Sequence, residues 1–146
     1  MKNRLPYLDV NINYACNLAC QGCISLSDFN RKGSVRISEG ESWLKEWSKL
    51  LDVDEICLFG GEPLLNADIQ DWIELTRLYF PTSHLKVITN GYYLKQSHVA
   101  ALMTAGNATL QISFHILDDR VIKSKIKHAT TGFDWKVSND NKNEVV

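Results

Sequence analysis

The sequence predicts an α/β fold in which helices cover a parallel β-sheet. Strand-like and helix-like hydrophobic patterns alternate from residue 7 to residue 117, and this alternation is typical of right-handed βαβ units. The first and fourth strand-like stretches also carry a polar row, which a strand buried on both faces would lack. We interpret that row as a concave, ligand-lined face, as inside a partial (β/α) barrel. An exposed face near the sheet edge is the alternative.

The first predicted strand is followed by a loop and a helix. Residues 7–14 alternate between apolar and polar side chains, which indicates a strand, and residues 24–36 resemble a loop. Ser38 with Glu41 three residues later forms a capping-box pattern, so we expect a helix to begin there. Its apolar face would be formed by Trp43, Trp47, Leu50 and Leu51.

Two further strands flank a second predicted helix. Residues 55–59 form a short apolar stretch that ends at two glycines. Asn66 is the expected N-cap of the next helix, which Pro81 would end. Residues 84–89 are the third predicted strand, and Asn90-Gly91 follow it.

The last third of the chain is patterned less clearly. Residues 95–105 predict a helix with Gly106 as its C-terminal cap, and residues 110–115 predict a fourth strand. Residues 118–128 fit either a helix or an edge strand, and residues 133–137 fit a fifth strand. We therefore expect one domain over residues 1–146, with clear βα units over 1–117 and an uncertain, polar end over 118–146.

Bulk composition argues against several classes of function. The 146 residues are 45% hydrophobic and 23% charged, and 16 Lys and Arg balance 17 Asp and Glu. This balance gives no support for nucleic-acid or membrane-surface binding driven by net charge. No apolar run approaches the roughly 18 residues of a membrane span, and no signal-peptide pattern opens the chain. We therefore expect a cytoplasmic protein.

Three of the four cysteines lie together in CNLACQGC at positions 16–23. Clustered cysteines without a secretion signal favour a metal site over disulfides. Zinc would need a fourth ligand, from Cys57 or a histidine, whereas a [4Fe–4S] cluster held by Cys16, Cys20 and Cys23 leaves one iron open for substrate or cofactor. Cys57 itself is best explained as a buried strand residue.

At this point the sequence resembles the radical S-adenosylmethionine (radical SAM) enzymes. CxxxCxxC after a first strand is similar to their cluster motif, and LFGGEPLL at 58–65 is similar to their GGEP motif. VITNG at 87–91 and QISFH at 111–115 resemble two later stretches of the family, in the same order.

The resemblance implies a partial (β/α) barrel, here a truncated radical SAM core, and a reaction. Cys16, Cys20 and Cys23 would hold the [4Fe–4S] cluster, whose open iron would chelate S-adenosylmethionine. Reductive cleavage would give a 5′-deoxyadenosyl radical that abstracts hydrogen from a substrate. The remaining residues with implied cofactor contacts are Gly60, Gly61, Glu62, Asn90, Ser113 and His115.

The resemblance also implies an electron donor, such as flavodoxin or ferredoxin, and a substrate that the sequence does not name, a peptide, a protein or a small molecule. The chain departs from the family in two respects. Gly22 stands where an aromatic residue often precedes the last cysteine, and four or five strands are recognisable where the family has six. A second copy or a partner chain would then complete the barrel. A glycyl-radical-enzyme activase and a truncated, non-catalytic iron–sulfur or SAM-binding protein remain alternatives.

Overall fold

The computed structural model describes residues 1–20, 23–29, 31–113, 124, 127–130 and 135–138. Within them, five strands form one sheet: β1 (Asn3–Asn13), β2 (Leu51–Gly60), β3 (His84–Thr89), β4 (Ala108–Ser113) and β5 (Trp135–Ser138). Neighbours in space are neighbours in sequence, and all four pairings are parallel. The predicted α/β fold with a parallel sheet is confirmed.

Three α-helices connect the first four strands: α1 (Ile37–Leu50), α2 (Ile69–Tyr79) and α3 (Gln96–Ala105). Right-handed crossovers between sequential strands place successive helices on the same face of the sheet. The central strands turn alternate apolar side chains to that face, and these form a buried core with the helices. Its fully buried members include Ile56, Leu58, Leu85, Leu110, Ile112, Leu44, Trp72 and Leu102.

The opposite face of the sheet is polar at equivalent positions of neighbouring strands. Tyr7 pairs with Glu55, and Asp9 pairs with Cys57 in the register of β1 and β2. Lys86 of β3 is level with Cys57, and its ammonium forms an ion pair with Glu55. The polar row predicted on the first strand therefore continues onto β2 and β3.

Local capping differs from the sequence prediction at two helices. Helix α1 begins at Ile37 with Arg36 at its N-cap, so Ser38 and Glu41 form no capping box. Arg36 instead donates from Nε to the Glu39 carboxylate at 3.1 Å. Glu39, and not Glu41, therefore stabilises the first turn of the helix. Helix α2 begins at Ile69, after Asp68, and Asn66 is not its N-cap.

Strand boundaries also differ, because pairing extends strands beyond their apolar stretches. β2 runs from Leu51, four residues earlier than predicted, and pairs with β1 from Asn3 onwards. Leu51 therefore belongs to the strand, and Leu50 is 62% exposed at the helix end. The predicted third strand is confirmed residue for residue.

The prediction for the last third of the chain is tested only in part. Residues 124 and 127–129 have helical backbone, which favours the helical alternative there. The fifth strand is confirmed with a shifted range, Trp135–Ser138. Residues 118–123, 125–126, 131–134 and 139–146 lie outside the described residues, as do Phe114 and His115 of the fourth predicted strand.

Close packing of α1 on α2 depends on Gly40. A Cβ at this position would lie 2.0 Å from the Trp72 ring, which is fully buried. Gly40→Ala should therefore lower the free energy of unfolding by about 1–3 kcal/mol, although alanine is the better helix former. Urea unfolding measures this, with the exposed Ser42→Ala in the same helix as the control. An unchanged or higher stability for Gly40→Ala would contradict the packing.

Candidate functional site

The segments that the sequence predicted as functional meet at one edge of the sheet. The carboxyl ends of parallel strands lie at the same edge. Cys16 follows β1, Gly60 ends β2 and Asn90 follows β3, while Ser113 is the last residue of β4. Ser113 is partly buried at this edge, opposite Ser138 of β5. His115 lies outside the described residues.

The loop after β1 carries three partly buried thiols, those of Cys16, Cys20 and Cys23. Leu18 donates its backbone N–H to the Cys16 sulfur at 3.4 Å, and Cys23 donates its own N–H to the Cys20 carbonyl at 3.2 Å. Burial raises the pKa of the Cys16 thiol, and the Glu62 carboxylate and Cys23 add to this rise, whereas the Leu18 N–H opposes it. A metal would have to supply the positive charge that favours this thiolate.

Among the described residues, no three His, Cys, Asp or Glu side chains form a group that could hold a single metal ion. The three thiols are spread along one loop, where each can bind a different metal atom. Cys57 lies within β2 and is fully buried, and burial raises its thiol pKa to about 12. That environment is typical of an inert structural cysteine.

Gly60 and Gly61 bring the end of β2 against the end of β1. A Cβ on Gly60 would lie 2.2 Å from the Asn13 carbonyl oxygen, and one on Gly61 would lie 2.3 Å from that of Ala15. Gly61 also donates its N–H to the Asn13 oxygen at 2.7 Å. The Cβ positions of both glycines are therefore occupied by protein backbone, and the missing side chains let the end of β2 pack against the segment before Cys16.

Glu62 is almost completely buried, and its carboxylate accepts three hydrogen bonds. Oε1 accepts from the Thr89 hydroxyl at 2.5 Å and from the Leu64 N–H at 3.0 Å, and Oε2 accepts from the Asn90 N–H at 2.8 Å. Burial raises the pKa of this carboxyl, whereas the three donors lower it. Two of the donors are backbone N–H groups that can only donate, which favours the ionised form. Glu62 thus ties the turn after β2 to the end of β3.

Asn13 is a site residue that the sequence prediction missed. Its side chain is 2% exposed, and its Nδ2 donates to the Ala15 carbonyl at 2.7 Å and to the Glu62 carbonyl at 2.8 Å. One amide therefore joins the exits of β1 and β2. The only sequence signal was its place as the last polar residue of an alternating strand, which did not separate it from a surface residue.

Asn90 joins the third strand to the cysteine loop. Its Oδ1 accepts from the Tyr92 N–H at 3.0 Å, and its Nδ2 donates to Asn17 Oδ1 at 2.9 Å. The same nitrogen lies 4.0 Å from the Cys16 sulfur. The structure thus brings together Cys16, Gly61, Glu62 and Asn90 as the sequence predicted.

A buried acceptor lies at this edge. Asn11 Oδ1 accepts no hydrogen bond from the described residues, and it would lie 2.9 Å from a Cβ on Gly60. A buried acceptor without a donor is costly, so a missing donor is expected beside it. The Asn11 amide lies on the polar face of the sheet, next to the glycine turn.

Comparison with models of known protein families agrees with the motifs at this sheet edge. The model of the Radical SAM superfamily matches residues 10–137. The chain belongs to the radical SAM superfamily. The resemblance predicted from the cysteine and GGEP motifs is therefore confirmed.

Similar curated proteins are more than twice as long as the matched region. The GTP 3′,8-cyclase of Nautilia profundicola is 29% identical over 122 residues, which cover 82% of this chain and 38% of that protein. The GTP 3′,8-cyclase of Sulfurovum sp. is 32% identical over 119 residues, 80% of this chain and 36% of that protein. The chain thus spans well under half the length of these relatives.

Solved structures share the fold. BtrN in complex with AdoMet and 2-DOIA superposes with a TM-score of 0.73 at 17% identity, over 97% of this chain and 59% of that one. Streptococcus suis SuiB bound to the precursor peptide SuiA gives 0.72 at 19% identity, over 90% and 32%. At these identities the likeness shows the fold alone, a parallel α/β core that corresponds to part of each of those longer chains.

Radical SAM enzymes use a [4Fe–4S] cluster and S-adenosylmethionine, and the residues of this chain fit both groups. Three thiols on one loop suit a cluster with one open iron. The unpartnered acceptor of Asn11 and the buried carboxylate of Glu62 suit a ligand that brings an ammonium group to the same edge. No helix in the described part of the chain is long and apolar enough to cross a membrane.

Proposed function

We propose that this chain is a radical SAM enzyme that holds a [4Fe–4S] cluster through Cys16, Cys20 and Cys23. The observation that carries the proposal is the junction of the cysteine loop, the glycine turn and Asn90 at one sheet edge, in a chain of this family. The cluster and S-adenosylmethionine, when bound, would supply a 5′-deoxyadenosyl radical that abstracts hydrogen from a substrate.

The protein's own part is to position the cofactor and to keep its reactive end in place. We assign the methionine end of S-adenosylmethionine to the turn of Gly60, Gly61 and Glu62, because the Glu62 carboxylate is buried there and accepts two backbone N–H bonds that favour its ionised form. Asn90 and Ser113 lie at the same edge, on the two strands that follow. We also propose that His115, two residues after Ser113, contacts the cofactor, as its motif implies.

The decisive experiment is anaerobic reconstitution with iron and sulfide, followed by reduction with dithionite in the presence of S-adenosylmethionine. We expect 5′-deoxyadenosine to form, measured by liquid chromatography, and to be absent for Cys16→Ala. A reconstituted chain with a full cluster that forms none over many hours would contradict the catalytic part of the proposal.

A second candidate is a non-catalytic protein that binds the cluster and S-adenosylmethionine. It rests on the same junction of the cysteine loop, the glycine turn and Asn90, which could hold both groups without turnover. The same experiment separates the two, since a non-catalytic binder would show calorimetric binding of S-adenosylmethionine without 5′-deoxyadenosine. GTP and a precursor peptide are the first substrates to add, because relatives are named for GTP or crystallised with such a peptide.

Glu62→Gln tests the charge at the turn. We expect the affinity for S-adenosylmethionine to fall by about tenfold or more, because the ligand's ammonium loses an ionic partner. The control is Thr89→Val, which removes one hydrogen bond to the carboxylate but keeps its charge. Calorimetry on both reconstituted variants should show a much smaller loss for Thr89→Val. Equal losses would show that Glu62 acts only by holding β3.

We further propose that the chain folds as one domain and that an external electron donor such as flavodoxin or ferredoxin reduces its cluster. In the described sheet, β1 and β5 are the edge strands. A second copy or a partner chain placed at either edge would complete the barrel wall that the four described helix-linked strands leave open.

A further inference from the structure

The Cys16 sulfur lies beside two N–H donors from different segments. The Leu18 backbone N–H donates to it at 3.4 Å from the same loop. The Asn90 side-chain nitrogen lies 4.0 Å away and comes from the end of β3. A primary amide has two N–H groups, and Asn17 Oδ1 accepts only one of them, at 2.9 Å. The second is free to point at the sulfur.

Asn90 is held firmly in the orientation that this contact needs. Its backbone N–H donates to Glu62, and its Oδ1 accepts from the Tyr92 N–H. The second bond fixes which end of the amide faces the cysteine loop, because only the oxygen can accept from Tyr92. The residue is 9% exposed, so water competes little for its remaining donor.

We propose that Asn90 is a positioning residue that donates a hydrogen bond to the Cys16 thiolate and thereby raises the reduction potential of the cluster. The inference rests on the proposed cluster function. Reduction adds one negative charge to a cluster, and donors to its ligand sulfurs stabilise that charge. The Leu18 N–H comes from the cysteine loop itself. The Asn90 side chain comes from the end of β3, so through it the position of β3 affects the reduction potential of the cluster.

The alternative is that Asn90 only holds the cysteine loop in place through its hydrogen bond to Asn17. Two variants separate these roles. Asn90→Ser keeps an oxygen that can accept from Tyr92 but removes the nitrogen near Cys16. Asn17→Ala removes the same inter-loop hydrogen bond from the other side and leaves the Asn90 nitrogen in place. Only the first variant should change the potential.

The test is a redox titration of reconstituted protein, followed by electron paramagnetic resonance, without S-adenosylmethionine or substrate. At a fixed ambient potential, we expect the ratio of reduced to oxidised cluster to fall by about threefold or more in Asn90→Ser. Asn17→Ala should match the wild type. Asn90→Asp, which keeps the acceptor for Tyr92 and adds negative charge, should shift the potential further in the same direction.

The outcomes are distinguishable from failure of the proposed function. Equal potentials in wild type and Asn90→Ser, or an equal shift in Asn17→Ala, would overturn the tuning role while leaving the cluster assignment intact. Loss of the cluster from both Asn90 variants but not from Asn17→Ala would also overturn it, since Asn90 would then serve assembly. A wild-type chain that takes up no iron would overturn both proposals.

Discussion

Alanine in place of Cys16, Cys20 or Cys23 should abolish the cluster absorbance at about 400 nm and reduce the iron content of the reconstituted protein to background. Each thiolate is expected to bind a different iron, so losing any one exposes the cluster to solvent and dissociation. The effect should be large for each of the three, because an iron without its thiolate is no longer held by the protein. Iron and sulfide analysis with visible spectroscopy measures it.

The fourth cysteine of the chain is the matched control. Cys57 is fully buried inside β2, away from the loop, and burial raises its thiol pKa to about 12. Cys57→Ala should keep the iron content and spectrum and lower the free energy of unfolding by about 1 kcal/mol, since only a small buried group is lost. Iron retained by the triple variant of Cys16, Cys20 and Cys23, or lost on changing Cys57, would reject the ligand assignment.

The fold was largely predictable, because it depends on periodicity that the chain shows strongly. The third strand and the third helix were predicted to within one residue, since turn residues bound both. Strand β2 was predicted too short because Asp52 and Asp54 interrupt its apolar pattern, although its early residues pair with β1. The Ser38 capping box failed because Arg36 and Glu39 stabilise the first turn instead.

The site was predictable where a motif carries it and hidden where a single amide does. The cysteines were found from their spacing and the glycine turn from its resemblance to the GGEP motif, and the structure brings Asn90 close to Cys16. Asn13 was missed, because its importance comes from two carbonyl groups that lie 2 and 49 residues away along the chain. Asn66 was assigned to a helix cap, whereas its Nδ2 donates to the Ile12 carbonyl of β1 at 2.9 Å. Contacts between strand exits are decided by tertiary packing, which periodicity does not encode.

The contacts between the carboxyl ends of the strands predict a second large effect on stability, for a substitution at Gly61. Its missing Cβ would lie 2.3 Å from the Ala15 carbonyl oxygen and 2.7 Å from the carbon that bears it. Both are backbone atoms, so no side chain can turn aside to make room. The Glu62 N–H donates to that same oxygen at 2.9 Å, and Asn13 Nδ2 donates to it at 2.7 Å. A displaced Ala15 would therefore strain two hydrogen bonds at once.

Gly61→Ala should lower the free energy of unfolding by about 3 kcal/mol and should also reduce cluster assembly, because Ala15 immediately precedes Cys16. The control is Gly106→Ala at the end of α3, where φ is 63° and nothing lies within 4 Å of the added Cβ. That variant carries backbone strain of about 1 kcal/mol but should assemble the cluster fully. Urea unfolding with iron analysis measures both quantities. Gly61→Ala could instead lose stability and still bind as much iron as Gly106→Ala. In that case the glycine turn would not control the position of the cysteine loop, and contact with the cofactor would be the remaining explanation for the two glycines.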